Sequence, residues 1–237
     1  MSLLVMHDVT KRYATGRREY VALRSVSLDI DAGELVAVWG LRRSGRTTLL
    51  RVAAGIEAAD EGVVSFEGRN LARERAAMLG SRIGYANAHF MSAQGGTVVD
   101  HVAVGLLASG IPIERARARA YKALERVDAS SCAELNPRLL DPAETARVAV
   151  ARALVTNPRL LLVDDPINGV DLLQRDSILE LIRSVADEGV AVLMTVGDVV
   201  TMADRMLSID EGELRGDVAP EQARVVPLRP ARVESSA

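Results

Sequence analysis

Eight consecutive residues limit what this chain can fold into more than any other stretch. A short apolar run, 34–39, ends at Gly40, and Gly40-Leu41-Arg42-Arg43-Ser44-Gly45-Arg46-Thr47 leads into a segment, 47–54, with helical spacing. Strand, glycine-containing loop and helix in that order let backbone N–H groups and a helix N-terminus wrap a polyphosphate. The run fits G-x-x-x-x-G-K-[ST] at every fixed position except the lysine, which is Arg46. Thr47 would hold Mg²⁺ through its hydroxyl. Arg46 is bulkier and planar, a poor substitute for a compact ammonium. The competing reading is a tight strand-to-helix turn with exposed arginines. A second segment adds weight to phosphate binding: Leu160-Leu161-Leu162-Val163-Asp164-Asp165 is an apolar strand ending in two carboxylates, as a Mg²⁺-holding strand would. Read alone, it is a buried strand with a solvated acidic end.

The rest of the chain supplies the frame. Residues 3–6, 25–30, 63–66 and 82–85 read as strands, with a turn at Asp31-Ala32-Gly33. From 97 to 154 the pattern is helical, punctuated by Pro112 and Pro137. Strand character returns at 160–163 and 190–196, with a helix over 171–186 between them. Strands alternating with helices predict an α/β fold with a mainly parallel sheet, interrupted by a helical insertion. The end of the chain carries Pro220, Pro227 and Pro230 without periodicity and reads as a poorly ordered tail.

Composition then removes several chemistries. With 237 residues, 49% of them hydrophobic, the chain can bury a substantial core. A net charge of −3 gives no electrostatic case for nucleic acid as a partner. Cys132 is the only cysteine, which excludes an intrachain disulfide and a cysteine-rich zinc site. No apolar run approaches the ~20 residues of a spanning helix and no signal peptide opens the chain, so the expected location is cytosolic. Of 29 basic residues only Lys11 and Lys122 are lysines, and the three histidines are His7, His89 and His101. Chemistry that needs a lysine near residue 45 or a histidine near residue 197 is therefore excluded.

Taken together, residues 3 to about 214 resemble the nucleotide-binding subunit of an ABC transporter, in order and with matching spacing. The likeness is to the ATPases of lipoprotein-release, macrolide-export and FtsE-type systems. Lys11-Arg12-Tyr13 resembles the opening K-x-Y, and Ala22-Leu23-Arg24-Ser25-Val26-Ser27-Leu28-Asp29-Ile30 resembles A-L-x-x-V-S-L-x-I. Arg147-Val148-Ala149-Val150-Ala151-Arg152-Ala153-Leu154 is close to R-V-A-I-A-R-A-L, and Asp204-Arg205-Met206 with Glu211-Gly212 matches the last strand pair.

The resemblance implies a P-loop NTPase fold with a RecA-like parallel core, an antiparallel β subdomain and an inserted helical subdomain. The cassette would span 1–215, with its core at about 1–88 and 156–215, the helical part at about 89–155, and a tail at 216–237. It implies ATP and Mg²⁺ as ligands, held by Tyr13 on adenine, by Gly40, Arg43, Ser44, Gly45, Arg46, Thr47 and Thr48 on the phosphates, and by Thr47 and Asp164 on the metal. It implies a head-to-tail pairing with a second cassette, identical or different, with Asp171 crossing the interface. A membrane permease would be the other partner, with the chain peripheral on the inner face of the plasma membrane.

The catalytic positions depart from the family. Arg46 replaces the Walker lysine, and Arg43 stands where the family has glycine. Ile83-Gly84-Tyr85-Ala86-Asn87-Ala88 puts Ala88 at the Q-loop glutamine, and the nine-residue step to Thr97 rules out Gln94 as a displaced equivalent. Asp165 stands at the catalytic glutamate and Gly197 at the switch histidine. Leu140-Asp141-Pro142-Ala143-Glu144 replaces the signature L-S-G-G-Q. Pro142 has no N–H to offer a phosphate, and Asp141 adds a negative charge. The same segment reads as a self-sufficient helix start, with Asp141 as N-cap, Pro142 in the first turn and Glu144 completing a capping box. Groups of this kind typically supply ~10²–10⁴-fold in rate each. The expectation is a degenerate cassette, a weak or inactive ATPase with a nucleotide-sensing or structural role. The alternative is an active ATPase energising export through a partner permease.

Overall fold

The computed structural model describes residues 2–16, 18–73, 82–87 and 95–216. Two sheets form its frame. The first is antiparallel: β1 (Leu4–Thr15) and β2 (Arg18–Ile30) make a long pair, and β4 (Glu61–Phe66) and β5 (Arg69–Asn70) extend it in the order β2-β1-β4-β5. The second contains β3 (Leu35–Trp39), β6 (Ile83–Asn87), β7 (Leu160–Asp164), β8 (Ala191–Val196), β9 (Arg205–Asp210) and β10 (Glu213–Arg215). Its order is β10-β9-β3-β8-β7-β6, parallel throughout except for the antiparallel edge strand β10.

The central strands are short continuous apolar runs because both of their faces are covered. Side chains alternate between two cores. Leu35, Ala37, Leu161, Val163, Val192 and Met194 face a core shared with four helices: α2 (Val98–Ala108), α3 (Ile113–Arg126), α4 (Pro142–Leu154) and α5 (Leu172–Asp187). Val36, Val38, Leu160, Leu162 and Leu193 face the other core, shared with α1 (Arg46–Ala53) and the inner face of the antiparallel sheet, where Leu4, Leu23, Ile30 and Phe66 are buried. A one-residue slip of a central strand would exchange the two sets.

The expected α/β fold with an inserted helical portion is the fold observed: α2, α3 and α4 lie between β6 and β7. Pro112 precedes the first residue of α3 and Pro137 opens a 3-10 turn, Pro137–Leu139. The main correction concerns β1 and β2, which extend well beyond the runs 3–6 and 25–30. Register shifts between Met6 and Arg12, with left-handed backbone at Asp8 and Ser25 (φ 48° and 45°), break the alternation that would have announced these strands. The expected tail beyond Gly216, and Ala88, His89 and Gln94, lie outside the described residues. No described helix is long and apolar enough to cross a membrane.

The self-capped start of α4 is present as expected. Asp141 Oδ1 accepts the Glu144 N–H at 2.8 Å and Glu144 Oε2 accepts the Asp141 N–H at 2.9 Å, with Pro142 in the first turn. Replacing such a cap by alanine typically costs about 1 kcal/mol, whereas serine keeps an acceptor. Asp141→Ala is expected to lower the urea midpoint by an amount equivalent to about 1 kcal/mol. Asp141→Ser is expected to stay within a few tenths of wild type.

Candidate functional site

Strand register brings the site together. Trp39 pairs with Val196, Asp164 with Thr195, and Asn87 with Asp164, so β3, β8, β7 and β6 end level at one edge of the parallel sheet. The segments leaving three of these strands therefore meet: the loop from Gly40, the Asp164-Asp165 pair, and Gly197. Gly40 donates its N–H to Val196 O at 3.4 Å, and Trp39 Nε1 donates to Gly197 O at 3.0 Å. These bonds tie the end of β3 to the end of β8.

The loop is shaped by close backbone approaches. A Cβ on Gly40 would lie 2.5 Å from Ser44 Oγ, and one on Gly45, where φ is 111°, would lie 2.4 Å from Ala22 O. The turn between β9 and β10 supports the loop from below. Gly212 donates to Ser44 O at 2.9 Å and accepts the Arg24 N–H at 2.8 Å, and a Cβ on Gly212 would meet Ala22 O at 2.7 Å. Arg43, where the resemblance implies glycine, holds a left-handed backbone (φ 68°) that side chains adopt at a cost. Tyr20 OH donates to Arg43 O at 3.0 Å and steadies it there. Tyr20, Arg43, Gly45, Arg46, Thr47 and Thr48 line a cleft of about 500 Å³.

This end of α1 differs from the start of α4. It has no side-chain cap and no acidic residue in its first turn, so the helix dipole is not answered by its own side chains. Two donors here are also unsatisfied: Ser44 Oγ and Arg46 Nη1 are buried and find no hydrogen-bond partner among the described residues. A buried donor left unpaired costs roughly 1–3 kcal/mol, so two beside an uncapped helix start call for an anion.

Opposite the loop, the Asp164 carboxylate is surrounded by hydroxyls. Thr47 Oγ1 and Thr195 Oγ1 reach its Oδ1 at 3.3 and 3.0 Å, and Tyr85 OH donates to its Oδ2 at 3.2 Å. Burial and the charge of Asp164 push the Tyr85 phenol up to about 12, so it stays protonated and remains a donor. Thr47 and Asp164 lie close enough to share a divalent cation, as their oxygen chemistry suits. No cluster of three or more His, Cys, Asp or Glu able to hold a metal occurs among the described residues, so the rest of such an ion's shell would come from ligand and water. Asp165, at a left-handed φ of 51°, pairs with Arg46: Oδ2 lies 3.3 Å from Nη2, with the side chains 26% and 12% exposed. Burial pushes the Asp165 carboxyl above its ordinary range, and the Arg46 charge opposes that shift. Gly197 lies alongside: a Cβ there would be 3.7 Å from Arg46 Nη1 and 3.9 Å from Asp165 Oδ1.

The structure thus brings Gly40 through Thr48, Asp164, Asp165 and Gly197 into one site. Tyr13 lies at its margin, on β1 opposite Tyr20; its OH donates to the Glu57 carboxylate and stands 3.5 Å from Thr48 Oγ1. Asp141, Ala143 and Glu144 belong to the α4 start. Its Pro142 shares a second pocket, of about 270 Å³, with Asn87, Asp164 and Asp165. Asp171 caps α5, accepting the Leu173 N–H at 2.9 Å. Tyr20, Tyr85 and Thr195 contribute to the site without having been singled out in the sequence. Only Thr195 left a trace there, as the one hydroxyl inside a fully buried strand.

The chain matches the ABC transporter family profile over residues 23–168 and belongs to that family, as an ATP-binding cassette. It is similar to the lipoprotein-releasing system ATP-binding protein LolD of Chromohalobacter salexigens, 34% identical over 91% of this chain and 94% of that protein. The methionine import ATP-binding protein MetN of Caulobacter vibrioides is 34% identical over 95% of this chain and 69% of its own length. The sulfate/thiosulfate import ATP-binding protein CysA of Bacillus cereus is 32% identical over 95% of this chain, which spans only 64% of that protein. The likeness is therefore not confined to export or release systems. Among solved structures, the dimeric bacterial ABC transporter cassette MJ0796 superposes with a TM-score of 0.81 at 26% identity, covering 90% of this chain and 98% of that one. A post-hydrolysis dimer of the same cassette, bound to ADP and Pi, gives the same TM-score at 25% identity.

The support beneath the loop is open to test. Gly212→Ala places a methyl against Ala22 O at a positive φ (82°), and such strain typically costs on the order of 1–3 kcal/mol. A loss of at least that size is expected in urea unfolding, and a larger one than for Gly189→Ala, which shares the positive φ but has no atom within 4 Å of the new Cβ, so the difference between the two variants reads the contact with Ala22 O.

Proposed function

We propose that this chain is the nucleotide-binding subunit of an ABC-type membrane transporter that binds ATP but hydrolyses it weakly or not at all, with a nucleotide-sensing role. The observation that carries this reading is the pair of buried, unpartnered donors, Ser44 Oγ and Arg46 Nη1, beside an uncapped helix start. A polyphosphate would satisfy both. Thr47 and Asp164 would hold Mg²⁺, which when bound would neutralise part of the phosphate charge.

The groups around the phosphates account for weak hydrolysis. Asp165 is paired with Arg46, and a carboxylate committed to a guanidinium is poorly placed to take a proton from water. Gly197 offers no side chain to a reacting phosphate. The start of α4 uses its N–H at Glu144 for its own cap and has a proline in its first turn, so it would contribute little to a composite site with a second cassette. That second cassette, a copy or a different chain, and a permease holding both at the inner face of the plasma membrane complete the proposed assembly. The cassette is assigned to residues 1–215, with 89–155 as its helical part.

An active ATPase remains the second reading, favoured by the retained Thr47–Asp164 pair. Calorimetry with Mg-ATP and a phosphate-release assay separate the two. Expected are saturable binding, weakened at least ~10-fold by Arg46→Ala, and turnover at least roughly 100-fold below the ~10 s⁻¹ typical of enzymes. Turnover near that typical value would establish the second reading, and absence of binding would overturn both.

A further inference from the structure

Three of the positions at which this chain departs from the cassette pattern lie together. Arg46, Asp165 and Gly197 are far apart in sequence, yet the Arg46 guanidinium lies 3.3 Å from the Asp165 carboxylate, and the position of a Gly197 Cβ is 3.7 and 3.9 Å from the two side chains. A Cβ there would already stand in van der Waals contact with both side chains. Glycine leaves that space to arginine.

The pair is incomplete in a particular way. Charge-assisted N–H···O contacts normally close to about 2.7–2.9 Å, and arginine meets carboxylates and phosphates best through two parallel bonds. Here Nη2 makes a long contact and Nη1 is buried with no partner among the described residues. A carboxylate and a phosphate oxygen are alternative acceptors for the same fork, and a phosphate chain brings more oxygens and more charge.

Resting on the nucleotide-binding reading above, we infer that Asp165 is an internal stand-in for phosphate: it holds the Arg46 guanidinium, in space left by Gly197, and an incoming phosphate chain must take that guanidinium from it. The tethered carboxylate competes at high effective concentration, so it sets the threshold at which a polyphosphate binds. The lysine, glutamate and histidine replacements are then one coupled rearrangement. Asp165 serves as a specificity-determining residue that excludes weakly charged anions and admits those able to outcompete a carboxylate.

The test is a binding cycle on the full chain, with ATP and ADP as probes in calorimetry. Wild type, Asp165→Asn, Arg46→Ala and the double variant are compared, with Asp165→Ala as a second route if the amide variant unfolds; melting curves verify folding. Asp165→Asn is expected to tighten ATP binding by about 10-fold or more, and the gain is expected to fall below about twofold when Arg46 is alanine. Binding by Asp165→Asn where wild type shows none would support the competition between Asp165 and phosphate for Arg46, while overturning the nucleotide-sensing role proposed for the wild-type chain. If wild type binds but Asp165→Asn binds no tighter, the inference fails and the proposed function stands. An equal gain in the Arg46→Ala background would reduce the effect to general charge repulsion and also overturn it. No binding by any variant would overturn both.

Discussion

The arrangement depends on the common edge at which four parallel strands end. Register between β3, β8, β7 and β6 is fixed by two cores that claim alternate side chains of each strand, and a slip of one residue would exchange those sets. Because the strands cannot slide, the residues after them are delivered to fixed positions. Gly40, Asp164, Asp165 and Gly197 form a site because packing well below them leaves no alternative.

Within that edge, two helix starts are treated oppositely. α4 supplies its own carboxylates to its first N–H groups, while α1 has none and lies beside two buried donors in want of an acceptor. The same backbone physics therefore yields one end that is electrostatically closed and one that is open. Of the two helix starts, only that of α1 is left with donors that a ligand could satisfy.

How much of this was legible depended on range. The loop, the apolar strand ending in Asp164 and Asp165, and the Asp141–Glu144 cap are local patterns, set by residues within a few positions of each other, and each was readable. The full lengths of β1 and β2 were not, since bulges near Asp8 and Ser25 disturb the period-two signal. Tyr20 and Tyr85 enter the site by crossing from neighbouring strands, a relation that spacing along the chain does not encode. The hardest case is Arg46, Asp165 and Gly197. The sequence presents three separate losses, and only their distances reveal a shared contact.

The carbonyl of Ala22 has a wider consequence. It lies where a side chain on either Gly45 or Gly212 would have to go, so the antiparallel sheet, the loop after β3 and the last hairpin are in backbone contact at one point. Such a joint has almost no slack, because main-chain atoms cannot repack as side chains do. Moving β2 at Ala22 would therefore press directly on the backbone of the loop and of the hairpin, with no side chain between them to absorb the shift.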